Sequence, residues 1–206
     1  MKITRLVCNP FAESTFLLWH EDNKDAFVID PGMIDEHERN AFSEFVDNHK
    51  LNVRKVLLTH VHVDHVLSAS WVATKYGASI EFGEADDFMH DQISSQIASF
   101  GLRIDYEPFT ASRFVIDGEI LELNGERIEV IATPGHSLGS MSFYSSESTK
   151  IIVGDAVFSM SIGRTDLAGG NYEQLIDSIN KRIMTLPEET VIYPGHGDCT
   201  TVGDEK

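Results

Sequence analysis

Val53-Arg54-Lys55-Val56-Leu57-Leu58-Thr59-His60-Val61-His62-Val63-Asp64-His65 is the stretch that decides the reading of this chain. Its first half, Val53–Leu58, is a near-continuous apolar run, the signature of a strand buried on both faces. The second half gathers three histidines and an aspartate within six residues of a chain that holds only 9 histidines in 206. In extended backbone, residues two apart point the same way, so His60 and His62 can reach one ion. Asp64 and His65, at the turn into a following helix, can then face a second. Imidazole and carboxylate at this spacing suit zinc-type ligation better than a histidine-rich surface loop does.

Four ligands do not fill two sites, so more are expected at strand ends elsewhere. Thr133-Pro134-Gly135-His136-Ser137 follows a strand ending near Ala132, Gly154-Asp155 follows Ile151–Val153, and Tyr193-Pro194-Gly195-His196-Gly197 follows Val191–Tyr193. Each sets one ligand-type residue just past a strand, beside glycines that let backbone approach closely. Singly, each Pro-Gly-His is only a turn; the set of four segments is what points to a metal centre.

Working outward, short β-type runs occupy Ile3–Cys8, Thr15–Trp19 and Ala26–Ile29, closed by a turn at Asp30-Pro31-Gly32. Asp35 to Lys50 reads as a helix, with Asp35 and Glu38 at capping-box spacing and Phe42, Phe45, Val46 and His49 at helical intervals. A second helix is expected from His65 to Tyr76, stopping at Gly77, then a strand over Ala78–Phe82 and a polar helix over Glu84 to Phe100. Strands resume at Ile120–Leu123, Ile128–Ala132, Ser140–Tyr144 and Ile151–Val153. Asn171 and Gln174 cap a last helix with a face of Tyr172, Leu175, Ile176, Ile179 and Ile183. The β-rich halves lack strict βαβ alternation, so two packed sheets with helices outside are expected rather than a doubly wound parallel sheet. The length suits one domain spanning 1–206, and no repeat or linker divides it.

Composition excludes partners more than it suggests them. Sixteen Lys and Arg face 33 Asp and Glu, a formal charge of −17, which repels nucleic-acid phosphates and anionic membranes alike. The opening residues lack a basic start followed by a long apolar run, and no stretch approaches the roughly 20 apolar residues of a membrane helix. The two cysteines, Cys8 and Cys199, read as free thiols in a reducing cytoplasm.

With its His-x-His-x-Asp-His segment, then His136, Asp155 and His196 in that order, the chain resembles the metallo-β-lactamase superfamily over nearly all its length. The resemblance implies an αββα sandwich of class α+β, with the site at one edge between the sheets. It implies that His60, His62 and His136 hold the first metal, that Asp64, His65 and His196 hold the second, and that Asp155 bridges, which makes Asp64 and Asp155 the candidate catalytic carboxylates. Zinc β-lactamases commonly lack the histidine found at His65 and carry cysteine or serine in place of Asp155. Flavodiiron proteins carry glutamate in place of His62. Gly154–Phe158, Ser161–Leu167 and Tyr193–Gly197 are most similar to the hydroxyacylglutathione hydrolase (glyoxalase II) branch, especially its short members. Full-length glyoxalase II enzymes continue into a helical domain, and they place a tyrosine where Asp166 stands, while Arg164 keeps their basic residue. The thiol half of the substrate stays open.

The resemblance implies a hydrolase with two divalent ions, zinc by preference with iron or manganese as options, that cleaves a small-molecule thioester through a metal-bridging hydroxide. A thiol with a pKa near about 8.5 leaves largely as thiolate and needs little general acid. Two other readings stand beside it. Gly163-Arg164-Thr165-Asp166 is shared with persulfide dioxygenases, which would use one iron on His60, His136 and Asp155, a facial triad. A non-catalytic metal-binding module is the third. Arg164 either docks a substrate carboxylate or pairs with Asp166. Phe158, Met160 and Ile162 alternate after Asp155 and either line the substrate pocket or pack in the core. Asp30 is expected to support the ligands through hydrogen bonds, and Cys199 could approach the metals.

Overall fold

The computed structural model describes residues 1–104 and 106–206. Strands β1 (Lys2–Cys8), β2 (Glu13–Trp19) and β3 (Asp25–Ile29) pair antiparallel in sequence order. Helix α1 (Glu36–His49) then carries the chain to β4 (Asn52–Leu57), which runs parallel to β3. Asp35 caps α1 by accepting the Glu38 N–H at 3.0 Å. The Glu38 carboxylate turns to the N–H groups of Ile34 and Asn9 instead of closing the expected reciprocal box. Helices α2 (Val63–Val66) and α3 (Ala69–Tyr76) follow, then β5 (Ser79–Gly83), a 3₁₀ turn over Glu84–Met89, α4 (His90–Ser99) and β6 (Arg113–Val115). These six strands form one sheet in the order β1-β2-β3-β4-β5-β6.

The second half contributes β7 (Ile120–Leu123), β8 (Glu126–Ala132), β9 (Met141–Ser145), β10 (Lys150–Gly154), a small hairpin of β11 (Val157–Phe158) and β12 (Ser161–Ile162), α5 (Tyr172–Ser178), β13 (Val191–Pro194), β14 (Thr200–Thr201) and α6 (Val202–Glu205). Its main sheet runs β14-β13-β10-β9-β8-β7.

Period-two alternation makes the layers. Phe16 and Leu18 of β2 and Phe27 and Ile29 of β3 meet Leu121, Ile128, Val130 and Phe143 of the second sheet in one buried cluster. The intervening Leu17, Trp19, Ala26 and Val28 face the other way, onto Phe42 and Val46 of α1 and Val72 of α3. Leu175 of α5, with Ile179 and Ile183 beyond it, covers the outer face of the second sheet at Ile151, Val153 and Ile192. Each such side chain, fully buried, contributes roughly 1.5–3 kcal/mol. The αββα sandwich expected from the sequence is the architecture found. No helix of the described residues is long and apolar enough to cross a membrane.

Three local expectations are corrected. The helix predicted over His65 to Tyr76 breaks at Leu67-Ser68, because Ser68 is held by the loop after β3: its N–H donates to the Pro31 carbonyl and its hydroxyl to that of Met33. Glu84 to Phe100 divides into the 3₁₀ turn and α4. Tyr172, expected on the buried face of the last helix, is exposed, while Leu175, Ile179 and Ile183 are buried.

Candidate metal centre

The ligand residues sit where strands end. His60 and His62 follow β4, His136 follows β8, Asp155 follows β10 and His196 follows β13. Strands β8, β10 and β13 point the same way, because β9 is antiparallel to both β8 and β10, and β10 is parallel to β13. Their C-terminal ends therefore open on one edge of the sandwich. The Met141 N–H donates to the Thr59 carbonyl, joining the first sheet to the second beside that edge.

Three groups with metal-ligand geometry result, with ligand atoms in each within 4.8 Å of one another. His60, His62 and His136 form one cluster, Asp64, His65 and His196 the other, and Asp30 with His60 and His65 a third, whose Asp30 oxygens are already taken by Thr59 and His65. Asp155 stands between the first two. Its Oδ2 lies 3.6 Å from His136 Nε2 and 3.6 Å from His196 Nε2, while Oδ1 lies 3.5 Å from His65 Nε2. Gly195 makes this approach possible, since a Cβ there would collide with both Asp155 Oδ1 and the His65 ring.

Hydrogen bonds fix which ring nitrogen each histidine presents. Nδ1 of His136 donates to the Arg164 carbonyl at 2.7 Å and Nδ1 of His196 to the Phe11 carbonyl at 3.0 Å. Nδ1 of His65 donates to Asp30 Oδ2 at 3.0 Å. The Thr59 hydroxyl donates to that same oxygen at 2.6 Å and so accepts from His60 Nδ1 at 3.0 Å. All four rings thereby turn Nε2 inward. His62 instead turns Nδ1 toward His136 Nε2, 2.8 Å away. His60 Nε2, His65 Nε2 and Asp155 Oδ1 are buried without a hydrogen-bond partner among the described residues. Each orphaned polar atom costs about 1–3 kcal/mol, and a cation at each cluster would satisfy all three. The donor set, imidazole nitrogen and carboxylate oxygen, fits zinc, iron or manganese.

The clusters differ electrically. Burial, then repulsion from neighbouring imidazoles, holds His60 well below the ordinary histidine range and brings His62 down to about 3. Burial likewise lowers His136. Burial also opposes charge on His65, yet Asp64, Asp155 and Asp30 outweigh it and raise that imidazole to about 10. His196 is raised against its burial by Asp64 and Asp155, and Asp64 is lowered against its own burial by His65 and His196.

Residue pattern and geometry together match one known group of proteins. The sequence profile of the metallo-beta-lactamase superfamily matches residues 8–196. The chain belongs to that superfamily. Hydroxyacylglutathione hydrolase GloC of Haemophilus influenzae is 36% identical over 208 residues, covering 100% of this chain and 95% of that protein. Among solved structures, the BLEG-1 B3 metallo-beta-lactamase superposes with a TM-score of 0.88 at 29% identity, covering 99% of this chain and 96% of its own. TTHA1623 in a di-iron-bound form gives 0.85 at 31%, covering 98% and 96%. At this level the chain is a metal-dependent hydrolase of the metallo-beta-lactamase superfamily.

All seven sequence-predicted ligands thus converge, and Asp30 braces them. Arg164 borders the pocket over the clusters, but its guanidinium is engaged by Asp166 through two bonds of 2.7 Å. The Phe158 ring packs edge-on to His196 at 6.1 Å rather than lining that pocket. Met160 is 86% exposed, and its N–H bonds the Glu205 carboxylate, away from the metals. Cys199 is an exposed free thiol outside both clusters.

Sequence reasoning missed Asp86. It is fully buried on the 3₁₀ turn, and its carboxylate accepts from Gly139 N–H at 2.6 Å, Ser137 Oγ at 2.7 Å and Val61 N–H at 3.3 Å. It therefore ties the His60–His62 loop to the His136 loop. Nothing in Glu84-Ala85-Asp86-Asp87 sets it apart from its acidic neighbours. The pocket wall of Phe11, Gln96 and Phe100 was also missed, being built from two loops and α4.

Proposed function

We propose that the protein hydrolyses a small-molecule thioester at a two-metal centre. The observation that carries this reading is the pair of three-residue clusters with Asp155 reaching toward both. His60, His62 and His136 would hold one divalent ion, Asp64, His65 and His196 the other, and Asp155 would contact both; zinc suits this donor set, with iron or manganese as alternatives. When bound, such a pair of ions supplies an activated water and Lewis-acid polarisation of a carbonyl at neutral pH.

The chain's own residues hold and orient that centre and leave one face open. The pocket above it has a volume of about 310 Å³ and is walled by Phe11, Val63, Gln96, Phe100 and Leu167 together with Arg164 and the ligands. Outside the ligands, none of these side chains is an acid that could protonate a leaving group. A thiolate leaves without that help, because thiols ionise near pH about 8.5. An amine leaving group would need a donor the pocket does not offer among the described residues. GloC, named as a hydroxyacylglutathione hydrolase, supports thioester chemistry by kinship. Cys8 and Cys199 are both free, which suits a reducing compartment such as the cytoplasm.

The test is elemental analysis of metal-loaded protein together with thiol release from a panel of thioesters. Two ions per chain and thiol release are expected. Saturation at one iron, with oxygen uptake on a persulfide and no thioester cleavage, would overturn the proposal in favour of a dioxygenase.

A further inference from the structure

The pocket above the clusters does not end there. A second hollow of about 220 Å³, with Met89, Gln92, Ser99 and Ala168 in its wall, shares His62, Gln96, Phe100 and Leu167 with the first. The two hollows adjoin across these shared residues, and together they run from the metal ligands beside α4 as a groove. Such a groove is longer than the reacting carbonyl needs, so it is shaped for an arm of the substrate.

The chemistry of that arm follows from the walls. Phe11 and Phe100 meet edge-to-face with ring centroids 5.1 Å apart, and Phe100 stays 53% exposed at the rim. Val63 and Met89 are buried apolar neighbours, and Leu167 is a partly exposed one. Arg164 is the only lysine or arginine lining the groove among the described residues, and Asp166 engages its guanidinium with both carboxylate oxygens. Beyond the metal ligands, where Met89, Gln92, Gln96, Ser99, Phe100, Leu167 and Ala168 form the wall, a carboxylate on the arm would leave water without meeting a cationic side chain, on a chain of net charge −17.

Gln96 supplies the complementary feature. Its Oε1 accepts the Val63 N–H at 3.3 Å, and because a backbone N–H can only donate, the amide orientation is fixed. The Gln96 NH₂ then has no partner among the described residues. It stands on the shared wall of both hollows, a donor suited to an amide carbonyl.

We infer that the groove along α4 takes an uncharged, amide-bearing thiol arm, with Phe100 covering its apolar stem and Gln96 donating to its amide carbonyl. The inference rests on the thioesterase reading for the identity of the arm and deepens it by naming the substrate class.

Two non-hydrolysable thioethers test it, identical except that the sulfur arm ends in an N-acetylamino group in one and a carboxylate in the other. Each is titrated calorimetrically into metal-loaded protein, and the matching thioesters are assayed for thiol release beside an arm-less methyl thioester. The amide arm should bind at least tenfold tighter than the carboxylate arm. Gln96→Ala and Phe100→Ala should each cut that preference to threefold or less, and should raise KM for the amide-arm thioester about tenfold more than for the methyl thioester. Equal or tighter binding of the carboxylate arm, or an undiminished preference in both variants, would overturn the inference. Amide-selective binding with no thioester cleaved would sink the hydrolase reading and leave the groove's selectivity standing. Thioester cleavage without arm selectivity would do the reverse.

Discussion

Replacing Asp86 by alanine removes the tie between the two loops that carry His60, His62 and His136. Three bonds are lost, but not with equal consequence. Ser137 Oγ also lies 2.6 Å from Ser140 Oγ, so it keeps a partner. The buried N–H groups of Val61 and Gly139 do not, and each orphaned donor costs about 1–3 kcal/mol, or about 2–6 for the two. The variant also relieves the desolvation of a carboxylate that burial pushes above its ordinary pKa, which argues for the lower part of that range, about 2–4 kcal/mol. For a domain of this size each kcal/mol moves Tm by about 2–4 °C, so metal-free Asp86→Ala should melt about 4–16 °C below the parent. Val61 lies between His60 and His62, and Ser137 follows His136, so ligand spacing loosens too. Residues of this kind typically change metal affinity by about 10–100-fold. Asp86→Asn keeps an oxygen for Gly139 and an amide for the Ser137 hydroxyl and orphans only Val61, so it should fall between. Scanning calorimetry of the metal-free proteins and chelator-competition titrations read both quantities. Parent-like Tm and metal affinity in Asp86→Ala would refute the reasoning.

Other perturbations follow from the same geometry. Asp155→Ala, which removes the carboxylate reaching toward both clusters, should lower metal content and thioester turnover far more than His90→Ala; normal metal and turnover in Asp155→Ala would count against a shared ligand. Stripping metal from loaded protein at a free concentration near 100 times Kd forfeits about 2.7 kcal/mol, so the melting temperature should drop by about 5–11 °C; an unchanged Tm would mean the metal does not engage the folded state. On acidification the two clusters should empty in order. His65, raised against its burial to about 10 by Asp64, Asp155 and Asp30, carries a proton at neutral pH in metal-free protein, and His196 is raised against its burial by Asp64 and Asp155. Metal there must compete with protons, so its affinity falls as pH drops. His62, lowered to about 3, is already neutral and gives up nothing. Metal content after dialysis across a pH series should therefore show the ion at Asp64, His65 and His196 leaving first, and simultaneous loss of both would contradict the assignment.

How legible these features were depended on the range of the interactions behind them. The layers could be read because the continuous apolar runs Phe16–Trp19 and Ala26–Ile29 are local signals of strands buried on both faces, and the element order lacks strict βαβ alternation. The candidate ligands could be read because the short segments that carry them stand out just past strands or at the turn into a helix, and the resemblance to the superfamily is what assigned them to two sites. Asp86 could not, since its partners Val61, Ser137 and Gly139 stand 25, 51 and 53 residues away. The break at Ser68 was hidden for the same reason: its competing acceptors, Pro31 and Met33, belong to a distant loop. Strands β6, β11, β12 and β14 run to only two or three residues, too short for a period to declare itself.

Asp30 shows how a single non-local carboxylate can organise what the motif alone leaves loose. It sits in the left-handed region, at φ 49°, immediately after β3, and is fully buried. Oδ1 accepts the Thr59 N–H at 2.7 Å, while Oδ2 receives both the Thr59 hydroxyl and His65 Nδ1. Through Thr59 it sets the tautomer of His60 in the first cluster, and directly it sets that of His65 in the second. The two rings stand 4.1 Å apart between centroids. Neither can turn without disturbing the oxygen on which both depend. The His-x-His-x-Asp-His segment supplies the ligands, but it is the turn after β3 that makes the two clusters one unit. Weakening that brace should loosen both half-sites together, whereas losing a single histidine loosens only its own.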